Sequence, residues 1–347
     1  MSERVRRLSE NGPDHEHWDS YVKNHKNGTF FHLTGWKKVI CDTYCHSPHY
    51  LYLEKEGAIV GVLPLFEQKS FIFGHTLIST PFCVYGGAIA EDDASLLLLE
   101  QAAADLGKQL KVDYIELRYA TPRENNPELT LNCHHSTYLM PISESEQEIL
   151  SSIKKKQRAN VRQSLKNNLV AEKISDVDSV HRIYSESVRN LGTPVFPKKF
   201  FASLKSTFGD DVDLMSVKKD GVPVSAVLSF YYKDTVLPYY GGGSPDARQL
   251  KSNDFMYYTL MCRAKTEKGS NIFDFGRSKN DSGSGKYKKT WGIEPQPLYY
   301  YCQLIEANSL PNLSPDNPKY KYFIQVWKKL PLFISERLGP YLSKYLG

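Results

Sequence analysis

Five local patterns occur in one order in the first half of this chain and recur in the same order in the second half. A turn glycine opens a largely apolar run at 57–66 and again at 221–230. Each run leads to an aromatic-glycine turn, Tyr85-Gly86-Gly87 in one half and Tyr239-Tyr240-Gly241-Gly242-Gly243 in the other, and each turn leads to a helical stretch. The helices are 94–110, with a strong leucine and alanine face, and 254–268, with Phe255, Tyr258, Met261 and Cys262 on one side. A strand then carries an acid shortly before an arginine, Glu116 and Arg118 within 112–118 and Asp274 and Arg277 within 271–277. An aromatic strand closes each half, at 136–142 and 298–304. Any α/β protein alternates strands and helices, but a shared order of unlike features points to duplication. The expectation is an α/β (α+β) chain of two tandem domains, 1–145 and 146–310, followed by a basic tail at 311–347.

At 347 residues the chain can bury two cores of ordinary size. No window approaches the roughly 18 consecutive apolar residues that span a bilayer, and the N-terminal segment lacks the apolar stretch of a signal peptide, so the expected address is the cytosol. The six cysteines are spread thinly, which suits reduced thiols. Cys41, Cys45, His46 and His49 form the one dense patch, but the spacing is not that of a structural zinc site and no second pair follows, so no metal is expected. Net charge is +5, and the tail from Lys319 to Gly347 carries six basic residues (Lys319, Lys321, Lys328, Lys329, Arg337, Lys344) against Glu336 alone, which equals the whole excess.

Between the repeats, 144–169 lacks proline and glycine and reads as one long helix. Ile149, Ile153, Val161, Leu165 and Leu169 recur at multiples of four, and so do Lys154, Arg158, Arg162 and Lys166. Residues four apart share a face, so an apolar stripe would lie beside a cationic one, its like charges repelling by a few tenths of a kcal/mol per pair. A phosphate-bearing partner would relieve that repulsion; a solvated face is the plainer alternative. Lys155, Lys156 and Lys173 broaden the patch, and diphosphate-linked sugars and tRNA are both compatible with it.

Two segments concentrate residues that a packed core does not need. In 190–196, Gly192 and Pro194 mark a turn that leaves Arg189 and Thr193 as substrate contacts, or simply caps the preceding helix. The second, 273–292, reads as a strand end feeding a flexible loop rich in glycine, serine and lysine. Its spacing is not that of a P-loop, and Asp274-Phe275-Gly276 is unaccompanied by the other kinase signatures. The loop supplies exposed amides and the cations Arg277, Lys279, Lys286 and Lys288 beside Asp274, a set able to stabilise an oxyanion or a leaving alkoxide. A structural ion pair is the alternative role for Asp274 and Arg277.

With the basic helix and the paired domains, 273–292 resembles FemAB-type proteins, and within them the branch associated with PEP-CTERM exosortase and exopolysaccharide gene clusters. The likeness runs from 29–36 through 61–65, 189–194, 238–242 and 291–292 to 327–331. The resemblance implies two GNAT-like domains and, as in better-known members, passage of an aminoacyl group from tRNA to an amine of a peptidoglycan precursor. It places the aromatic-lysine pair near the reacting groups on Tyr287 and Lys288, with Lys286 and Lys289 as competitors. Two departures stand out: no helical-hairpin insertion of the kind some members use for tRNA, and no Arg/Gln-x-x-Gly-x-Gly loop of ordinary coenzyme A acetyltransferases.

The expected enzyme is therefore an acyltransferase with no permanently bound cofactor, its donor either aminoacyl-tRNA or acyl-coenzyme A. Its expected acceptor is an amine on a lipid-linked or nucleotide-linked glycan or peptide. Lys288 and neighbouring amides would stabilise developing charge, Asp274 would orient the amine or Arg277, and Arg158, Arg162, Tyr239 and Tyr240 would hold the acceptor. Two rivals stand beside this reading: an acyl-coenzyme A dependent transferase acting on an amino sugar, and a non-catalytic glycan-binding assembly protein. In the tail, Asn317 and Pro318 start a helix with Tyr320, Phe323, Trp327 and Leu330 on one face; it either docks on the core or lies on the inner face of an anionic membrane.

Overall fold

The computed structural model describes residues 3–10, 12–71, 73–123, 125–132, 134–310 and 318–345, and within 318–320 the backbone alone. Cys133 and Asn317, and the side chains of Lys319 and Tyr320, thus lie outside the described residues. Two compact units are present, both mixing helices with sheet: Met1–His134 with Pro297–Asn312 and Tyr345–Gly347, and His135–Gln296 with Leu313–Lys344.

Matching turns mark the repeat. Leu51–Lys55 and Ala58–Leu63 pair antiparallel across Glu56 and Gly57, as Val212–Lys219 and Val222–Tyr232 do across Asp220 and Gly221. All four turn residues have positive φ (52°, 82°, 50° and 81°), the two-residue hairpin turn whose twist suits its strands. Both hairpins also bulge at the corresponding place, beside Leu53/Glu54 in one and Val217/Lys218 in the other. Each unit then joins two parallel strands through a helix. In the first, Gly74–Ile78 and Tyr114–Tyr119 are linked by Asp93–Leu110; in the second, Thr235–Gly243 and Ile272–Asp274 are linked by Ser252–Lys268.

The closing strands are exchanged. Tyr299–Leu304 pairs with Tyr114–Tyr119 in the first unit, and Leu139–Pro141 pairs with Ile272–Asp274 in the second. The units therefore interleave instead of following the contiguous ranges 1–145 and 146–310. Each parallel pair leaves one outer backbone edge to be satisfied, and either aromatic strand can do so. The local pattern carries no information about which.

Three further expectations change. Residues 239–243 are not a turn but the end of strand Thr235–Gly243, where glycine admits a close neighbour: a Cβ on Gly242 would lie 2.3 Å from the Ser187 Cβ. The single helix over 144–169 is two, Glu146–Ser152 and Lys155–Ser164, because Ile153 and Lys154 are extended (ψ 137° and 138°). Ile153 is fully buried there and the Lys154 amide donates to the Trp291 carbonyl at 3.3 Å, so tertiary contacts outweigh helix propensity. Lys154 falls at the break and Lys166 beyond the end of the second helix, so both leave the cationic ladder, while Lys173 pairs with Asp213 at 2.8 Å.

The tail forms two helices, Pro318–Trp327 and Leu332–Ser343. Cys41, Cys45, Cys83, Cys262 and Cys302 are unbridged. Among the described residues no cluster of three His, Cys, Asp or Glu side chains is placed to hold a metal, and no helix is long and apolar enough to cross a membrane.

Candidate active site

In the second unit the parallel pairing is short: Thr235 faces Ile272, Val236 faces Phe273, and it stops there. The first of these strands then bulges at Tyr239, since Leu228 faces Tyr240 and Ser229 faces Pro238. On its other side the second strand continues to Asp274, paired with Leu139.

Asp274 is only 2% exposed, and its Oδ1 accepts from Thr137 Oγ1 at 2.9 Å and from the Gly276 amide at 2.8 Å. The bond to Gly276 curls the chain into a turn that needs φ +70° at that residue, which glycine adopts without strain. The turn presents two carbonyls to Lys288, whose Nζ donates to Gly276 O at 2.8 Å and to Arg277 O at 3.0 Å. The Tyr138 ring lies under the ammonium, 5.4 Å from centroid to Nζ. Two of the three ammonium hydrogens are thereby engaged. Burial lowers the Lys288 pKa to about 8, with Asp274 opposing and Arg277 reinforcing the shift. The side chain is thus a fixed cation that loses its charge just above neutral pH.

The supposed flexible loop contains a helix, Gly283–Thr290, begun where Ser282 Oγ accepts from the Gly285 amide at 3.1 Å. Gly283 and Gly285 hide it from propensity, each disfavouring helix by about 1 kcal/mol relative to alanine. Burial of Tyr287 and Trp291, four residues apart, outweighs them; Trp291 is fully buried against Phe275 and Tyr257. Gly285 also sits where a Cβ would meet the Tyr138 hydroxyl at 2.8 Å, so the helix can approach the lysine's platform.

Tyr287 faces away from the turn. Its hydroxyl donates to Asp254 Oδ1 at 2.7 Å, and Gln157 Nε2 donates to the same oxygen at 2.6 Å. Thr290 Oγ1 and Asn160 Nδ2 stand 3.1 and 3.2 Å from Gln157 Oε1. Burial, then the Asp254 charge, hold the Tyr287 phenol well above its ordinary range, so it stays protonated as a donor. This network ties the lysine-bearing helix to the first turn of Ser252–Lys268 and to the basic helix Lys155–Ser164.

The remaining candidates divide. Arg158 is half-buried with its Nε donating to Ile153 O at 3.2 Å, and Arg162 is exposed on the same helix. Arg277 and Lys279 are half-buried along the turn, while Lys286 is exposed. Tyr239 is the half-buried bulge residue, but Tyr240 is 4% exposed among Tyr184, Phe196, Phe200 and Phe201, a core position. Arg189 and Thr193 serve the tail: Arg189 Nη1 donates to Leu330 O at 2.8 Å, and Thr193 O accepts from Trp327 Nε1 at 3.1 Å. The first unit resolves its acid-arginine pattern differently, as an ion pair of the buried Arg118 Nε with the half-buried Glu116 Oε1 at 2.8 Å.

Gln157, Asp254, Thr137, Tyr138 and Thr290 were not among the candidates. An acid in a helix first turn is ordinary, and only proximity in space sets Asp254 apart.

Residues 151–289, which include Gln157, Asp254, Asp274, Tyr287 and Lys288, match the acetyltransferase (GNAT) domain family. The chain is 23% identical to the lipid II:glycine glycyltransferase of Staphylococcus aureus over 83% of its own length and 93% of the relative's. Among solved structures it is similar to FemX (TM-score 0.64, 18% identity, 93% of this chain and all of that one). It is also similar to a tandem GNAT protein from the clavulanic acid biosynthesis pathway (TM-score 0.56, 9% identity, 89% of this chain and all of that one). The chain is thus an acyltransferase of GNAT fold, and its family-level likeness is to the FemAB type.

Proposed function

We propose that the second unit transfers an aminoacyl group from a tRNA ester to a primary amine on a lipid-linked peptidoglycan precursor. The observation that carries this reading is the Lys288 ammonium, held by the Gly276 and Arg277 carbonyls with one hydrogen left to offer. The acceptor nitrogen attacks the ester carbonyl carbon, and the carbonyl oxygen takes up the electron pair as an oxyanion beside Lys288. Collapse breaks the ester C–O bond, forms the amide, and moves the nitrogen's proton to the departing ribose oxygen. Positioning of the two substrates supplies about 7–11 kcal/mol of the barrier reduction, so a dedicated base is not required. Arg158 and Arg162 offer charge to a phosphate-bearing substrate, and the glycyltransferase relative, named for lipid II, supports the acceptor class.

A second reading keeps the same centre with an acyl-coenzyme A thioester as donor and an amino sugar of an exported polysaccharide as acceptor; the acetyltransferase domain match favours it. Incubation with labelled aminoacyl-tRNA or labelled acyl-coenzyme A, followed by mass analysis of lipid-linked and amino-sugar acceptors, separates the two. Lys288→Ala is expected to lower transfer by about 10²–10³-fold, the loss typical of an oxyanion donor. Full activity in that variant would overturn the assignment.

A further inference from the structure

The last helix buries its small side chains and exposes its large ones. Ser335, Gly339 and Ser343 face inward, at four-residue intervals, while Phe333, Leu338 and Tyr341 are 70%, 47% and 73% exposed. The inward face is fixed by close contact, since a Cβ on Gly339 would stand 2.7 Å from the Val195 amide nitrogen and carbonyl oxygen. Seating that small-residue face obliges the opposite arc to point outward. At 100° per residue this arc carries Phe333, Arg337, Leu338 and Tyr341.

The preceding helix is anchored differently but also turns large side chains outward: Trp327 is its inward anchor, 3% exposed, while Tyr322 and Val326 are 74% and 45% exposed. Lys321, Lys328 and Lys329 are exposed around them. Across both helices Lys321, Lys328, Lys329, Arg337 and Lys344 stand against a single acid, Glu336.

We propose that this pair of helices is a docking surface for an anionic lipid bilayer. Aromatic and aliphatic side chains interleaved with lysine and arginine suit the headgroup boundary, where rings enter the acyl edge and cations meet lipid phosphates. A second copy of the chain is the poorer occupant, because a self-pairing face would set like charges against like. Nor does any described helix cross a membrane, so the attachment is peripheral. The surface does not depend on the acyl-transfer reading, although a lipid-borne acceptor would be reached from it.

The test is flotation of the full chain with phosphatidylcholine vesicles containing or lacking phosphatidylglycerol, at low and high salt. Binding is expected only to the anionic vesicles and should weaken with salt. The triple variant Lys321→Gln/Lys329→Gln/Arg337→Gln should weaken it roughly a hundredfold. Phe333→Ser/Tyr341→Ser should also abolish flotation, with unchanged circular dichroism and thermal midpoint, because both rings point away from the core. Failure of the unaltered protein to float, or undiminished flotation of both variants, overturns the proposal. So does sedimentation showing a dimer that Phe333→Ser/Tyr341→Ser dissociates, which would give the face to a second copy. Since flotation reads no turnover, its failure leaves the proposed transfer reaction to stand or fall separately.

Discussion

Tyr287 donates its hydroxyl hydrogen to Asp254 at 2.7 Å, and this bond joins the helix that carries Lys288 to the first turn of the long helix Ser252–Lys268. Asp254 is 6% exposed and also accepts from Gln157, so one buried carboxylate aligns three helices. Asp254→Ala strands two donors, and each buried donor left unpaired costs about 1–3 kcal/mol. Asp254→Asn keeps an acceptor oxygen and is expected to lose less. Urea denaturation of both variants checks the order, and equal stability of the two would show that the carboxylate is not what holds the network.

In the proposed transfer reaction Lys288 sets the pH response. Its folded pKa is lowered to about 8 by burial, so the ammonium is populated below that value and lost as pH rises through it. An acceptor amine becomes more reactive in the same direction, so transfer is expected to peak and then fall on an alkaline limb near pH 8. Lys288→Arg keeps its charge throughout that range and should lack the limb, whatever its absolute rate. The measurement is kcat/KM against pH for both proteins; an unchanged limb in the arginine variant assigns it to another group.

Gly242 lies where the helix Val177–Leu191 crosses the strand Thr235–Gly243. A methyl group there would sit 2.3 Å from the Ser187 Cβ, so Gly242→Ala should destabilise by about 1–3 kcal/mol through overpacking. Ser187→Gly removes the obstructing atom at a helix-propensity cost of about 1 kcal/mol. The double variant is expected to lose less than the two single losses added together, and thermal or denaturant unfolding of all four proteins would show the coupling.

Several elements were legible because they rest on short-range physics. Gly57 and Gly221 mark two-residue turns, since φ above +80° is open to glycine at little cost. The helices 94–110 and 254–268 appear within two residues of the expected starts and at the expected ends. Asp274 and the cations of 273–292 were legible as a cluster that a packed core does not need, the family resemblance singled out Lys288 among the lysines, and the fold places Asp274 and Lys288 beside the same turn.

What the residues determine alone is therefore the repeated unit: its hairpins, its helices and the stretch where charge collects. Tertiary structure decided which aromatic strand completes which sheet, because each offers an extended backbone edge and only the completed fold brings each to its partner. It broke the helix at Ile153, where burial outweighed propensity, and made a helix of 283–290, where burial of Tyr287 and Trp291 outweighed two glycines. It also committed Arg189 and Thr193 to the tail and raised Asp254 and Gln157 to the centre of the site. Hydrogen bonds between residues far apart in the chain, as from Thr137 to Asp274 across 137 positions, have no signature in local sequence. They form only when packing brings the partners within reach and excludes the water that would otherwise compete for them.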